Sequence, residues 1–245
     1  MLDKKSSFFS SDNPTFVFVA GLVIGILILG TIGFFILLAK TMGNDSPKSA
    51  GGNNQVVNNQ PSNGQPNQPT KVADLTILES DHVRGNRNAK VKIFEFSDYE
   101  CPYCGSFHPT MQQVMDQYGD QVAWIYRHFP LDSLHPQARP SAEAAECVAE
   151  QAGDEGFWQF TDALFANQQS LSSTLYQQVA QSLGLNMNQF NDCVSSGKYQ
   201  DKVESDYQSG VLSGVTGTPG SFINGIPVKG ALPFSTIKQI IDSEL

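Results

Sequence analysis

The chain has 245 residues, with 15 Lys and Arg against 24 Asp and Glu, and a formal net charge of −9 at pH 7. From residue 71 onward it holds 11 basic and 21 acidic side chains with no basic stripe, which argues against nucleic acid and against adhesion to anionic lipid. No internal repeat is present.

Residues 1–14 read as a cytoplasmic N-terminal tail. From Thr15 to Ala39 there is no charged residue in 25 positions, and Leu, Ile, Val, Phe and Gly dominate, enough at about 1.5 Å per residue to cross a bilayer. A cleaved signal peptide is the competing reading. Its apolar core spans roughly 7 to 15 residues and ends in a small-x-small site, of which Leu37-Leu38-Ala39 offers only half. The reading favoured is an uncleaved transmembrane signal anchor over 15–39. Lys4 and Lys5 are matched by Lys40 and Lys48, so charge leaves the orientation open. Residues 40–72 read as a flexible linker, since 22 of the 28 residues from Gly43 to Thr70 are Gly, Asn, Gln, Pro or Ser. Such a composition buries too little apolar surface to offset its ordering entropy, and its root-mean-square span is roughly 30 Å.

The remaining 73–245 are a normal size for one domain with a single core. Lys90 to Ser97, rich in β-branched and aromatic residues, predicts a buried strand. Phe107, Met111 and Met115 predict a helix over Ser106 to Tyr118, and Gln121 to His128 predicts a second strand, as in a parallel crossover. Helical spacing then dominates: Ser141 to Ala152; Phe157, Phe160 and Leu164; and Leu175, Val179 and Leu183 up to Gly184. Asn186 with Gln189 forms a capping-box pattern, and Tyr199, Val203, Tyr207 and Val211 form a further helical stripe. Ser221–Asn224 and Ile226–Lys229, joined at Asn224-Gly225, predict a hairpin, followed by a closing helix carrying Ile237, Ile240, Ile241 and Leu245. The fold expected is α/β, a small mixed sheet with a helical insertion at about 138–213.

The chemistry concentrates at Cys101-Pro102-Tyr103-Cys104, between the first strand and its helix. Two thiols at this spacing can pass a disulfide to another protein and take it back. A cysteine at a helix N-terminus is stabilised as thiolate by unpaired N–H groups and the positive end of the dipole, and Pro102 suits the first turn. The same spacing is half of many zinc sites. A zinc site, however, needs a second close pair, and Cys147 and Cys193 lie far apart, so no metal is expected. Glu95 is an acid within an apolar strand, either paired with a neighbouring Lys, pointing to an exposed edge, or retained for work. Cys147 and Cys193 lie on apolar helical stripes, as buried free thiols or as a structural disulfide; the disulfide is favoured in an oxidising compartment. Pro109 lies inside the active-site helix and should kink it, because it removes one backbone hydrogen bond, and His108 reads as a packed or surface histidine. His82, His128 and His135 show no ligand spacing, and Trp124 and Trp158 read as core aromatics.

Taken together, Phe94-Glu-Phe-Ser-Asp-Tyr-Glu-Cys-Pro-Tyr-Cys104, the helical insertion and Thr216-Gly-Thr-Pro-Gly-Ser-Phe-Ile-Asn-Gly225 resemble the DsbA-like (DsbA- and BdbD-type) extracytoplasmic thiol-disulfide oxidoreductases of the thioredoxin fold. The resemblance covers nearly all of residues 71–245. It implies Cys101 as exposed nucleophile, Cys104 as buried resolving thiol, Glu95 as a buried acid that relays the Cys104 proton, and a cis peptide before Pro219. It further implies that Thr218 and Pro219, with Pro102 and Tyr103, contact an extended substrate segment. No cofactor is implied. The partners implied are reduced or unfolded secreted proteins and a membrane quinone-linked protein that reoxidises the thiols, on a single-pass bacterial membrane protein whose catalytic domain lies outside the cytoplasm. Two residues depart from the strongest oxidant of that family: Tyr103 stands where it has His, and Thr218 where it has Val. An oxidase is therefore expected first, a disulfide isomerase or reductase next, and a non-catalytic peptide-binding module last.

Overall fold

The computed structural model describes residues 75–245. The expected tail, membrane span and linker lie outside the described residues, as do residues 73 and 74. Among the described residues, no helix is long and apolar enough to cross a membrane.

A five-stranded mixed sheet is ordered β1-β3-β2-β4-β5, with β1 His82–Gly85, β2 Val91–Ser97, β3 Val122–His128, β4 Gly220–Ile223 and β5 Ile226–Lys229. The central pair β2 and β3 is parallel and the other pairings are antiparallel. Parallel neighbours need a crossover, and α1, Pro102–Tyr118, supplies it. Both central strands are buried on both faces, so they read as near-continuous apolar runs. Alternation nevertheless sorts them: Ile93, Trp124 and Tyr126 join one core with Cys101, Cys104 and Phe107, while Phe94, Phe96 and Ile125 join a second with Phe129 and Val215. At the hairpin, Asn224 and Gly225 take φ of 47° and 84°, the left-handed pair that lets two strands reverse without splaying.

The insertion follows β3 and comprises α2 Ala138–Ala166, α3 Ser173–Ser182, α4 Met187–Ser195 and α5 Gln200–Leu212. The chain returns to the sheet at β4, and α6, Phe234–Glu244, closes it. Tyr118 Oη on α1 donates to Asp242 Oδ1 on α6 at 2.6 Å. The helical stretches expected before residue 166 are present as the two segments of α2, which meet in a kink at Gly153, where φ of 63° and ψ of −160° are non-helical. Strand β1 was not foreseen: its four residues carry too little pattern, and its pairing partner β3 lies some 40 positions on.

Two further local expectations are corrected. Asn186 caps α4 by accepting from the N–H groups of Asn188 and Gln189 at 3.1 and 3.2 Å, but the capping box does not close through Gln189. The Asn186 N–H donates instead to Gln151 Oε1 of α2 at 2.9 Å, so tertiary packing takes the place of the local partner. On α5, Val203 is buried but Val211 is 45% exposed. Gly210 is the residue facing the sheet there: a Cβ on it would stand 2.6 Å from the Phe129 ring, and the approach rotates Val211 outward.

Candidate functional site

Cys101 is the N-cap of α1, with Pro102 at the first helical position. Its carbonyl accepts from the Gly105 N–H at 3.1 Å, and its thiol donates to the Thr218 carbonyl at 3.4 Å. Thr218–Pro219 is a cis peptide bond. Both thiols are reduced. Cys101 is not the exposed residue the family resemblance implies: only 3% of it is accessible, because the Thr218 carbonyl covers it, against 0% for Cys104. Pro102 is exposed, as is Tyr103 at 67%, beside the buried thiols. A groove of about 470 Å³ borders the same loop, with Val215, Thr218, Pro219, Phe222 and Val228 in its lining.

The two thiols are driven apart electrostatically. Hydrogen bonding from Cys104 lowers the Cys101 pKa to about 5, with Thr218 and the backbone N–H groups of Cys104 and Tyr103 acting in the same direction against burial. Cys104 moves upward, through burial, then its bond to Cys101, then the nearby Glu95 carboxylate. A helix start thus holds one thiolate, and the core holds its partner as a thiol.

Beneath Cys104 lies a polar patch within the apolar core. Glu95 is fully buried and accepts from Trp124 Nε1 at 2.9 Å, so its partner is neither a lysine nor solvent. Burial raises its pKa to about 7 against the opposing pull of the Ser97 hydroxyl and the Trp124 N–H. Trp124, expected only as a core aromatic, is therefore also a donor to the acid.

The insertion grips this site from the side. Gln168, just beyond α2, donates from Nε2 to the carbonyls of Tyr99 and Cys101, each at 2.8 Å, and packs against Gly105 closely enough that a Cβ there would meet its Oε1 at 2.4 Å. Tyr99 Oη lies 2.8 Å from Thr161 Oγ1. His108 is packed, with Nε2 2.7 Å from Asp162 Oδ1 and its ring 4.6 Å from that of Phe165. Sequence reasoning missed Gln168, because an amide in a short turn 67 positions from Cys101 carries no local signal.

Cys147 on α2 and Cys193 on α4 form a disulfide within the insertion. His82 and His128 meet elsewhere, on either side of the buried Glu146, at 3.1 and 3.0 Å. His128, Glu146 and Asp206 bring their ligand atoms within 4.8 Å of one another. Lys202 Nζ already lies 2.7 Å from Asp206 and 3.6 Å from Glu146, so its ammonium supplies the cation for these carboxylates. His135 Nδ1 lies 2.7 Å from Asp98 Oδ2.

The family model described as Thioredoxin matches residues 78–243. The chain belongs to the thioredoxin family. Among solved structures, alpha-DsbA1 of Wolbachia pipientis superposes with a TM-score of 0.61 at 25% identity, covering 69% of this chain and 92% of that one. DsbA2 of Pseudomonas aeruginosa does so with a TM-score of 0.56 at 26% identity, over 69% and 96%. BdbD of Bacillus subtilis shares the fold at 23% identity, with a TM-score of 0.62 over 67% and 92%. The architecture is thus the thioredoxin-like fold with a helical insertion, and its structural neighbours are thiol-disulfide oxidoreductases of the DsbA type. Among curated proteins, the Na(+)/H(+) antiporter NhaA 3 of Salinispora tropica is 37% identical over 157 residues, 63% of this chain but 24% of that protein. The chain therefore spans about a quarter of the length of this relative.

Proposed function

We propose that the protein exchanges the Cys101–Cys104 disulfide with cysteines of other proteins, acting as a disulfide-forming oxidase. The carrying observation is the opposite displacement of the two thiols, Cys101 down to about 5 and Cys104 up. A substrate thiolate attacks Cys101 Sγ of the oxidised pair, the S–S bond breaks, and Cys104 departs and is protonated. A second substrate thiolate then attacks the substrate sulfur of the mixed disulfide and expels Cys101 as thiolate. The substrate loses two electrons and two protons, and the Cys101–Cys104 pair gains the electrons.

A low Cys101 pKa stabilises the reduced protein at neutral pH, and that favours oxidation of substrates. Glu95, with its pKa near 7, serves as the acid and base for Cys104. Thr218 and Pro219 receive an extended substrate segment beside exposed Pro102 and Tyr103, in the manner of strand addition, and the adjoining groove takes its side chains. Reduced secreted proteins are the substrates in this reading, and a membrane quinone-linked protein restores the disulfide. The catalytic domain works outside the cytoplasm from a membrane anchor at 15–39, where no glutathione pool reduces it. Ion transport is not proposed, because the antiporter name belongs to a relative of which this chain spans a quarter.

Equilibrating the protein with glutathione buffers tests the direction. A potential near about −120 mV marks an oxidase, and one near about −270 mV a reductant, which would move the assignment to the reductase or isomerase alternative. The groove beside Pro219 also suits a peptide-binding module without catalysis. Full biological activity in a Cys101→Ser, Cys104→Ser double variant would select that reading instead.

A further inference from the structure

Four buried polar atoms lie on one face of the sheet, at two neighbouring levels of the strands. Glu95 and Ser97 stand two residues apart on β2 and so share a face, and Glu95 is in register with Tyr126 of β3 and Ser221 of β4. Glu95 Oε1, Ser97 Oγ, Tyr126 Oη and Ser221 Oγ are all fully buried and make no hydrogen bond among the described residues. Around them the core is apolar and aromatic, with Trp124, Tyr99 and Phe107 among its members. Buried polar atoms left free are costly, and a set of them beside a reacting thiol marks groups whose partners change during a reaction.

We propose that Ser97 is the hydroxyl through which a proton passes between Glu95 and Cys104. The inference rests on the disulfide-exchange reading above. Ser97 shares the inner face of β2 with Glu95, and its buried hydroxyl is committed to no hydrogen bond; it acts on Glu95, Cys104 and Tyr126 alike, lowering the pKa of each. A serine hydroxyl donates and accepts at once, as a relay requires. Tyr126, fully buried, is held as the phenol, and Ser221 faces Glu95 from β4 with no ionisable charge of its own.

The step balances as follows. When a substrate thiolate attacks Cys101, the S–S electrons leave on Cys104 Sγ; Ser97 gives its hydroxyl proton to that sulfur and takes the proton of the Glu95 carboxyl, leaving a carboxylate. In the reverse direction Glu95 carboxylate draws the Ser97 proton, and Ser97 draws that of Cys104, whose thiolate then attacks a mixed disulfide at Cys101. No co-reactant is needed beyond the substrate thiols and the disulfide itself.

The test compares Ser97→Val with Ser97→Thr, two side chains of one shape that differ in the hydroxyl. The mixed disulfide of Cys101 with glutathione is formed on the full chain, and glutathione release by Cys104 is followed across pH. The groups facing Ser97 are Cys104 from α1, Glu95 from β2, and Tyr126 and the register partner His128 from β3; the inflection followed is that of Glu95, raised to about 7. Valine is expected to slow release at least about 10-fold at pH 7 and to abolish the inflection near 7, while threonine stays within about 2-fold of the parent and keeps it. Equal rates for valine and threonine overturn the relay. So does slow release by both, which is an effect of shape, or slow release by valine with the inflection kept. If the parent chain itself forms no mixed disulfide or releases no glutathione, the exchange reading fails first and separately.

Discussion

At the level of single residues, the site is governed by which groups the core allows to ionise. Cys101 sits at a helix start with Cys104, Thr218 and two backbone N–H groups turned towards it, and its pKa is lowered to about 5. Its alkylation by iodoacetamide should therefore inflect near pH 5 rather than near the ordinary thiol range, with Cys104 unlabelled in native protein by peptide mapping. Glu95 shows the opposite case, an acid whose folded pKa is raised from 4.5 to about 7 by burial. The folded state then binds the proton more tightly than the unfolded one. Its stabilising contribution is complete below pH 4.5 and is lost as pH rises through about 7. Glu95→Gln should accordingly match the parent in urea unfolding at pH 4 and exceed it above pH 7, by at most roughly 3 kcal/mol. A glutamine variant that is less stable at pH 8 would contradict a buried, desolvated acid.

Among the elements, the insertion is fastened both to itself and to the site. The Cys147–Cys193 disulfide joins α2 to α4 across a sequence separation of 46, and a loop of that length lowers unfolded-state entropy by an amount worth up to about 4 kcal/mol. Replacing both cysteines by alanine should lower unfolding stability by roughly 2 to 4 kcal/mol while leaving the Cys101 alkylation profile in place. Gln168 fastens the insertion to α1 through the carbonyls of Tyr99 and Cys101. Gln168→Ala removes two hydrogen bonds, about 1 to 2 kcal/mol, and frees the space that Gly105 shares with it. Hydrogen exchange should show faster opening of the first turn of α1 in that variant, with the far end at Tyr118 unchanged.

For the whole molecule, ionisation sets a window of stability. Burial disfavours charge on His82, but Asp154 and Glu146 overcome it and raise its pKa to about 9; this contribution is complete below about 6.5 and is lost as pH rises through 9. Burial likewise opposes charge on Glu146, yet His128 and His82 hold its carboxyl below the usual range from 4.5, so its contribution is present above 4.5 and lost in acid. In the disulfide form, where Cys101 has no titrating thiol to oppose them, Glu95 acts in the same direction as His82, and denaturant midpoints should peak at about pH 4.5 and decline towards pH 9. A midpoint that rises from pH 6.5 to 9 would show that other groups dominate.

The sequence by itself determined the units that obey local rules. Strand β2, helix α1 with Cys101 at its start, the Asn224-Gly225 hairpin and the Asn186 cap are each written in a few neighbouring residues, because periodicity and turn chemistry act over one or two turns of chain. The positions of Glu95, Cys101 and Cys104 within one strand-to-helix junction were legible for the same reason. Tertiary structure alone decided the rest. It brought β1 against β3, seated Gln168 on the Cys101 carbonyl, covered Cys101 with the Thr218 carbonyl and set Tyr126 and Ser221 on either side of Glu95. Those contacts join residues tens of positions apart, and what places them is burial of the shared core, a property of the assembled sheet and not of any segment of it.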